Sequence, residues 1–66
     1  MSSIDEVKAE LRKLSAKATQ AKMDLHDLSE ELPIAWESIP EVAQRAHDAF
    51  ALLAAKREEL RQLEGV

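Results

Sequence analysis

Met23-Asp-Leu-His-Asp-Leu-Ser-Glu-Glu-Leu-Pro-Ile-Ala-Trp-Glu-Ser-Ile-Pro40 holds both prolines of the chain, its only Trp, one of its two histidines and a dense group of acids. The residue before a proline is pushed out of the helical region, so a helix arriving from Met23 has to stop by Leu32. Ser38-Ile-Pro-Glu41 has the form of a capping box with Pro in the first turn, so a second helix starts there. The stretch reads as a corner between two helices.

Working back from the corner, apolar or Ala side chains fall at Ile4, Val7, Leu11, Leu14, Ala18, Ala21, Leu25, Leu28 and Leu32. The 3,4 spacing is a strict heptad, which implies left-handed supercoiling against a partner helix. Ser3-Ile-Asp-Glu6 supplies a capping box at the start, with Asp5 and Glu6 on the positive end of the dipole. The pattern predicts a helix over about residues 4–32, roughly 40 Å long. Beyond the corner, Val42, Ala46, Ala49, Leu53, Lys56, Leu60 and Leu63 continue a stripe through a helix predicted over about 39–64. A connection as short as 33–38 joins antiparallel neighbours. The expected fold is all-α, an antiparallel two-helix hairpin with left-handed coiled-coil packing, forming one domain over residues 1–66.

Folding at the corner places residues whose numbers sum to about 70 opposite each other. Small Ala18 and Ala21 then face Phe50 and Leu53, and Leu25 faces Ala46, a small-against-large alternation that fills space. In an antiparallel pair the flanking positions bring Asp24 to Arg45 and Lys8 to Glu64. They also bring Glu10 near Glu59, a like-charge pair that Lys56 or Lys13 can relieve. Exposed pairs of this kind contribute only about 0–1 kcal/mol each.

A chain of 66 residues buries only about 60% of its extended surface, so a lone hairpin is marginal. With no Cys, disulfides and thiolate chemistry are excluded. Oligomerisation is the remaining device. Ala49-Phe-Ala-Leu-Leu-Ala-Ala55 is apolar on every side, and a helix of that kind is buried on every side. A homodimer built as a four-helix bundle follows, with Ala49, Phe50, Leu52, Leu53 and Leu60 as its interface.

The net charge is −4, but its distribution says more. Asp24, Asp27, Glu30, Glu31, Glu37 and Glu41 stand at the corner with no Lys or Arg among them. The stems are balanced or slightly basic. An acidic corner repels phosphate backbones and draws cations or basic protein patches. Nucleic-acid binding would rest on scattered Arg12, Lys13 and Lys17, and is the weaker reading. The opening Met-Ser-Ser-Ile-Asp-Glu lacks a signal peptide's basic start and apolar core, and no apolar run approaches the roughly 20 residues of a membrane span. The expectation is a cytoplasmic protein with no membrane contact.

Catalysis finds no footing: no Ser has an activating His, no glycine-rich phosphate loop exists, and two packed helices are expected to offer no cavity for a small molecule. The chain reads as a non-enzyme. His26 is the residue to single out, with Asp27 beside it and Glu30 one turn on. It hydrogen-bonds Glu30 or packs on the corner; alternatively His26 and Glu30 are half of a site for a divalent transition metal (Ni, Zn or Fe). A second copy would complete such a site. Trp36, with Leu32, Ile34 and Ile39 around it, reads as a plug closing the hairpin end. A Trp is also a favoured interface anchor, which makes Asp27 and Trp36 candidate partner-contact residues.

Ala21-Lys-Met-Asp-Leu-His-Asp-Leu-Ser-Glu-Glu-Leu-Pro33, followed by Trp36-Glu, Ile39, Val42-Ala43 and Ala49-Phe50, resembles the Rop-like family of small proteins encoded in nitrogen-fixation gene clusters. The likeness runs from about residue 4 to 64. It implies a dimerising helical hairpin associated with nitrogen fixation, and no settled biochemical activity. The characteristic His of the family maps onto His26. Three functions follow: an accessory protein that binds nitrogenase or a cofactor-assembly protein, a plain structural dimerisation module, or RNA binding of the kind found in the plasmid protein that names the family.

Overall fold

The structure, a computed structural model, describes residues 3–65. Helix α1 spans Ile4–Glu31 and helix α2 spans Ile39–Glu64, with a short 3-10 helix at Trp36–Ser38 between them. The two α-helices run antiparallel as a hairpin measuring 47 × 19 × 15 Å. No helix among the described residues is long and apolar enough to cross a membrane.

Ser3 caps α1 as its sequence suggests, its side-chain oxygen accepting from the Glu6 N–H at 3.2 Å. The helix ends one residue earlier than expected. Leu32 takes φ −60 and ψ 144, the extended conformation imposed by the following Pro33. At the other end of the chain Gly65 sits at φ 76 and donates back to Arg61 and Gln62 carbonyls, a left-handed C-cap that costs glycine nothing. The capping box expected at Ser38 is not formed. Ser38 has φ −83 and ψ −8 and makes no side-chain cap bond. The 3-10 turn feeds straight into α2, so Ser38 already has helical backbone and its hydroxyl is not presented to the first free N–H groups.

The core is narrow. Val7, Ala18 and Leu28 of α1 are buried against Val42, Ala46 and Leu53 of α2. All six lie on the heptad stripes, and two of them are Ala, which lets the helices approach closely. No polar side chain is buried among the described residues. Each fully buried Leu or Val contributes about 1.5–3 kcal/mol, so a core of this size gives a hairpin of modest stability.

Lys56 stands within the apolar stripe of α2 and carries the one ion pair that joins the helices among the described residues. Its Nζ lies 2.7 Å from Glu10 Oε2 and 2.8 Å from Glu59 Oε2. It thereby relieves the like-charge approach of Glu10 and Glu59. The expected Asp24–Arg45 and Lys8–Glu64 pairs do not form; Asp24 accepts instead from Gln20 Nε2 at 2.9 Å on its own helix. An i, i+4 partner is already held by the helix, whereas a cross-helix partner has to be reached by two long side chains. Further along α2, Arg61 and Gln62 both donate to Glu58 and hold its carboxyl below the usual carboxylate range, the Arg61 bond being the larger cause.

Hydrogen bonds to Glu10 and then to Glu59 raise the Lys56 pKa above its ordinary 10.5. A raised lysine stabilises the fold fully below its ordinary value, and that contribution is lost as pH rises through the folded value. Lys56→Gln is therefore expected to melt at a lower temperature than the wild type at neutral pH, and the two curves converge as the pH climbs past 10.5. Equal midpoints at neutral pH would show that the bridge contributes nothing. Adding Glu59→Gln to the variant should restore part of the loss.

Candidate functional site

The corner is built by three backbone features. Leu32 N–H closes the last turn of α1 on the Leu28 carbonyl at 3.2 Å, and Ile34 N–H reaches the Glu31 carbonyl at 3.0 Å across a cis Leu32–Pro33 peptide. Ala35 then turns the chain at φ 65, a left-handed conformation that is unusual for a residue with a Cβ. Ser38 N–H donates to the Ala35 carbonyl at 3.0 Å, which fixes the 3-10 turn carrying Trp36. The result is a tight, hydrogen-bonded tip.

Trp36 does not plug the hairpin. It is 62% exposed, and its neighbour Ile34 is 76% exposed, the most exposed large apolar residue described. The left-handed turn at Ala35 explains this. It separates the two side chains from the ends of the helices, so neither points down the narrow gap between α1 and α2. Leu32 and Ile39, at the ends of the helices, are only partly covered, each 39% exposed. Ile34 lies between Pro33 and the turn, where no helix can bury it, and is therefore not part of a plug.

His26, Asp27 and Glu30 come together on the outer surface of the last turns of α1. His26 Nε2 is 3.2 Å from Glu30 Oε1, and Nδ1 is 3.9 Å from Asp27 Oδ1. All three side chains are about two-thirds exposed or more. Ser29 donates its hydroxyl to the His26 carbonyl at 2.6 Å, a local bond within the helix. His47 faces Asp48 at 3.4 Å and does not join the cluster. No group of three or more His, Asp or Glu side chains is arranged to hold a metal ion among the described residues. The geometry is that of a His–carboxylate pair at i, i+4.

The five residues expected at a dimer interface divide. Leu53 is buried within the hairpin itself, and Ala49 and Leu60 are half-buried there. Phe50 and Leu52 remain 44% and 59% exposed. Two residues apart on a helix of 3.6 residues per turn, they lie on opposite flanks of the buried stripe. The Leu52 flank is lined by charged positions Glu10, Lys17, Asp24, Arg45 and Glu59. The Phe50 flank has Lys8, Lys22, Arg57 and Glu64 together with small Ser15, Ser29 and Ala43 among its neighbours in the heptad.

One feature was not anticipated. An open recess of about 430 Å³ lies along α1, lined by Glu10, Lys13, Leu14, Ala16 and Lys17. The stems of the long charged side chains stand up as its walls beside Leu14. The sequence implied no cavity large enough for a small molecule, and this open trough departs from that expectation because side chains of α1 alone enclose it.

A two-helix hairpin with a heptad seam, an acidic tip and a surface His defines a class of small helical-hairpin proteins. Within that class, a family model described as Rop-like matches residues 2–65, and the chain belongs to the Rop-like family. It is 55% identical over 97% of its length to a UPF0437 protein of Azorhizobium caulinodans, covering 93% of that protein. A UPF0437 protein of Frankia alni, described as lying in the nifX–nifW intergenic region, is 59% identical over 67% of this chain, a match that spans 54% of the Frankia protein. The hairpin also superimposes on an NMR structure solved by the Northeast Structural Genomics Consortium as target McR1, with a TM-score of 0.90 and 45% identity, over 98% of this chain and 92% of that one.

A non-glycine residue in the left-handed region costs about 1–2 kcal/mol. Ala35→Gly is therefore expected to raise the stability of the hairpin by about 1 kcal/mol, read from urea denaturation, while leaving the helical content unchanged. A loss of stability in that variant would mean that the tip is not held at positive φ in solution.

Proposed function

We propose that this protein is a non-enzymatic accessory factor of the nitrogen-fixation system, acting as a homodimer that docks on a partner protein through its corner. The nif-region location of the Frankia relative supports the setting. The observation that carries the docking role is the exposed Trp36 and Ile34 at a tip ringed by carboxylates. Exposed apolar side chains with a polar rim mark interaction sites, and Trp is a favoured anchor. His26, Asp27 and Glu30 lie on the same end of the hairpin and supply polar contacts. Nitrogenase components or cofactor-assembly proteins are the partners this setting offers.

The dimer is proposed to form along the Phe50 flank. That flank is the less charged, and its small residues leave room for the aromatic ring of a second copy. A divalent transition metal at His26 and Glu30 belongs to the proposal only where the second copy or the partner adds ligands, because two exposed ligands hold such an ion weakly.

Tagged protein in extract of nitrogen-fixing cells, run beside His26→Ala, is expected to retain nitrogenase or cofactor-assembly proteins that the variant retains less well. Identical lists of captured proteins from both would remove the docking role of His26. In sedimentation equilibrium the wild type is expected to be a dimer, Phe50→Glu to shift towards monomer, and Leu52→Glu to remain dimeric. A monomeric wild type, or the opposite response of the two variants, would overturn the assignment of the interface.

A further inference from the structure

The corner combines two properties that specify more than a docking surface. Its apolar part is small and rigid. Ile34 and Trp36 stand on either side of Ala35, which is held by its left-handed backbone and by the flanking Ile34–Glu31 and Ser38–Ala35 hydrogen bonds. A side chain displayed on a fixed backbone gives up less freedom on binding than one on a mobile loop. The surrounding charge has one sign. From Met23 to Gln44 there are six carboxylates and no Lys or Arg. Among them, Asp27 and Glu30 stand beside the His26 ring.

Other features of the molecule point less clearly to a ligand. The trough beside Leu14 has walls of both signs, Glu10 against Lys13 and Lys17, so it selects no charge. The His26 cluster alone lacks a third ligand among the described residues. An anionic lipid or nucleic-acid surface is repelled by the corner. What fits an apolar anchor beside a run of carboxylates with no Lys or Arg in the same stretch is a partner with an apolar face bordered by cations.

We propose that Ile34 and Trp36 form a hydrophobic anchor for a basic amphipathic helix of another protein, whose Lys and Arg side chains pair with the carboxylates around the tip. Glu37 lies beside Trp36 in the same 3-10 turn, and Glu41 follows in the first turn of α2. Glu30 and Glu31 stand in the last turn of α1, just before the tip. The apolar pair fixes where the partner binds, and the carboxylates fix its sign and speed its approach. The proposal rests on the docking role given to the corner above, and it adds the chemistry of the partner.

The test needs no knowledge of the partner, because Trp36 is the only Trp in the chain and reports on its own burial. The probe is a synthetic amphipathic helical peptide with Leu on one face and Lys along its borders, set beside the same peptide with Glu in place of Lys. Titrating the full-length protein with the Lys peptide is expected to shift Trp36 emission to the blue, with amide shift changes in NMR spectra concentrated over residues 23–41. The Glu peptide is expected to produce neither. Ile34→Ser, which keeps the fluorophore and lies on an exposed site, should weaken binding roughly tenfold. Glu37→Gln with Glu41→Gln should flatten its dependence on salt.

Equal binding of both peptides, or amide changes spread along residues 4–22 instead of the corner, would overturn the proposal. So would a blue shift of Trp36 on concentrating the protein alone, because the tip would then be covered by a second copy. These outcomes are independent of the pull-down. A Lys-selective corner with no nitrogenase protein captured would sink the nitrogen-fixation setting while the partner chemistry stands, and the reverse result would separate them the other way.

Discussion

The contact on which this structure depends is the close approach of two helices along a seam of alternating small and large side chains. Ala18 and Ala46 are buried to 1% and 7% exposure, and neither would fill space against a second Ala. Leu28 and Leu53 do so from neighbouring turns. Because the seam repeats every seven residues, it holds the helices at a shallow crossing angle for their whole length. The hairpin is consequently long and thin, and its breadth leaves nowhere to bury a ring the size of Trp. Exposure of the tip thus follows from the narrow seam together with the left-handed turn at Ala35.

Most of the fold was legible because it rests on periodicity. The heptad at Ile4 to Leu28, the stop at Pro33 and the restart at Ile39 each come from a local rule, and the structure follows all three to within a residue. The relief of Glu10 and Glu59 by Lys56 was also legible, since antiparallel register alone brings those residues together. What escaped was the direction of side chains within the corner. Ser38 looks like a cap in sequence, but the preceding 3-10 turn decides its backbone. Ile34 and Trp36 look like core, and a single left-handed residue at Ala35 sends them outwards. No local propensity announces that conformation for an alanine.

The candidate site shows the same division. The His26–Glu30 contact follows from helical spacing and appears where expected, at 3.2 Å. The expected dimer residues were identified by their apolar character, which cannot say which of them the hairpin already covers. Leu53 proves to be internal, while Phe50 and Leu52 lie on different flanks. An apolar run in a helix counts faces correctly but does not assign them to neighbours.

The bridge from Lys56 to Glu10 and Glu59 has a consequence for folding errors. A heptad seam tolerates displacement by one whole repeat, because Leu and Ala recur at the same spacing. Moving α1 by seven residues would bring Ser3 or Lys17 to the place that Glu10 occupies. One offers no charge and the other repels. A slipped hairpin would thus keep much of its apolar contact but lose the ion pair, so a weak surface interaction can act mainly by discriminating against a misaligned competitor.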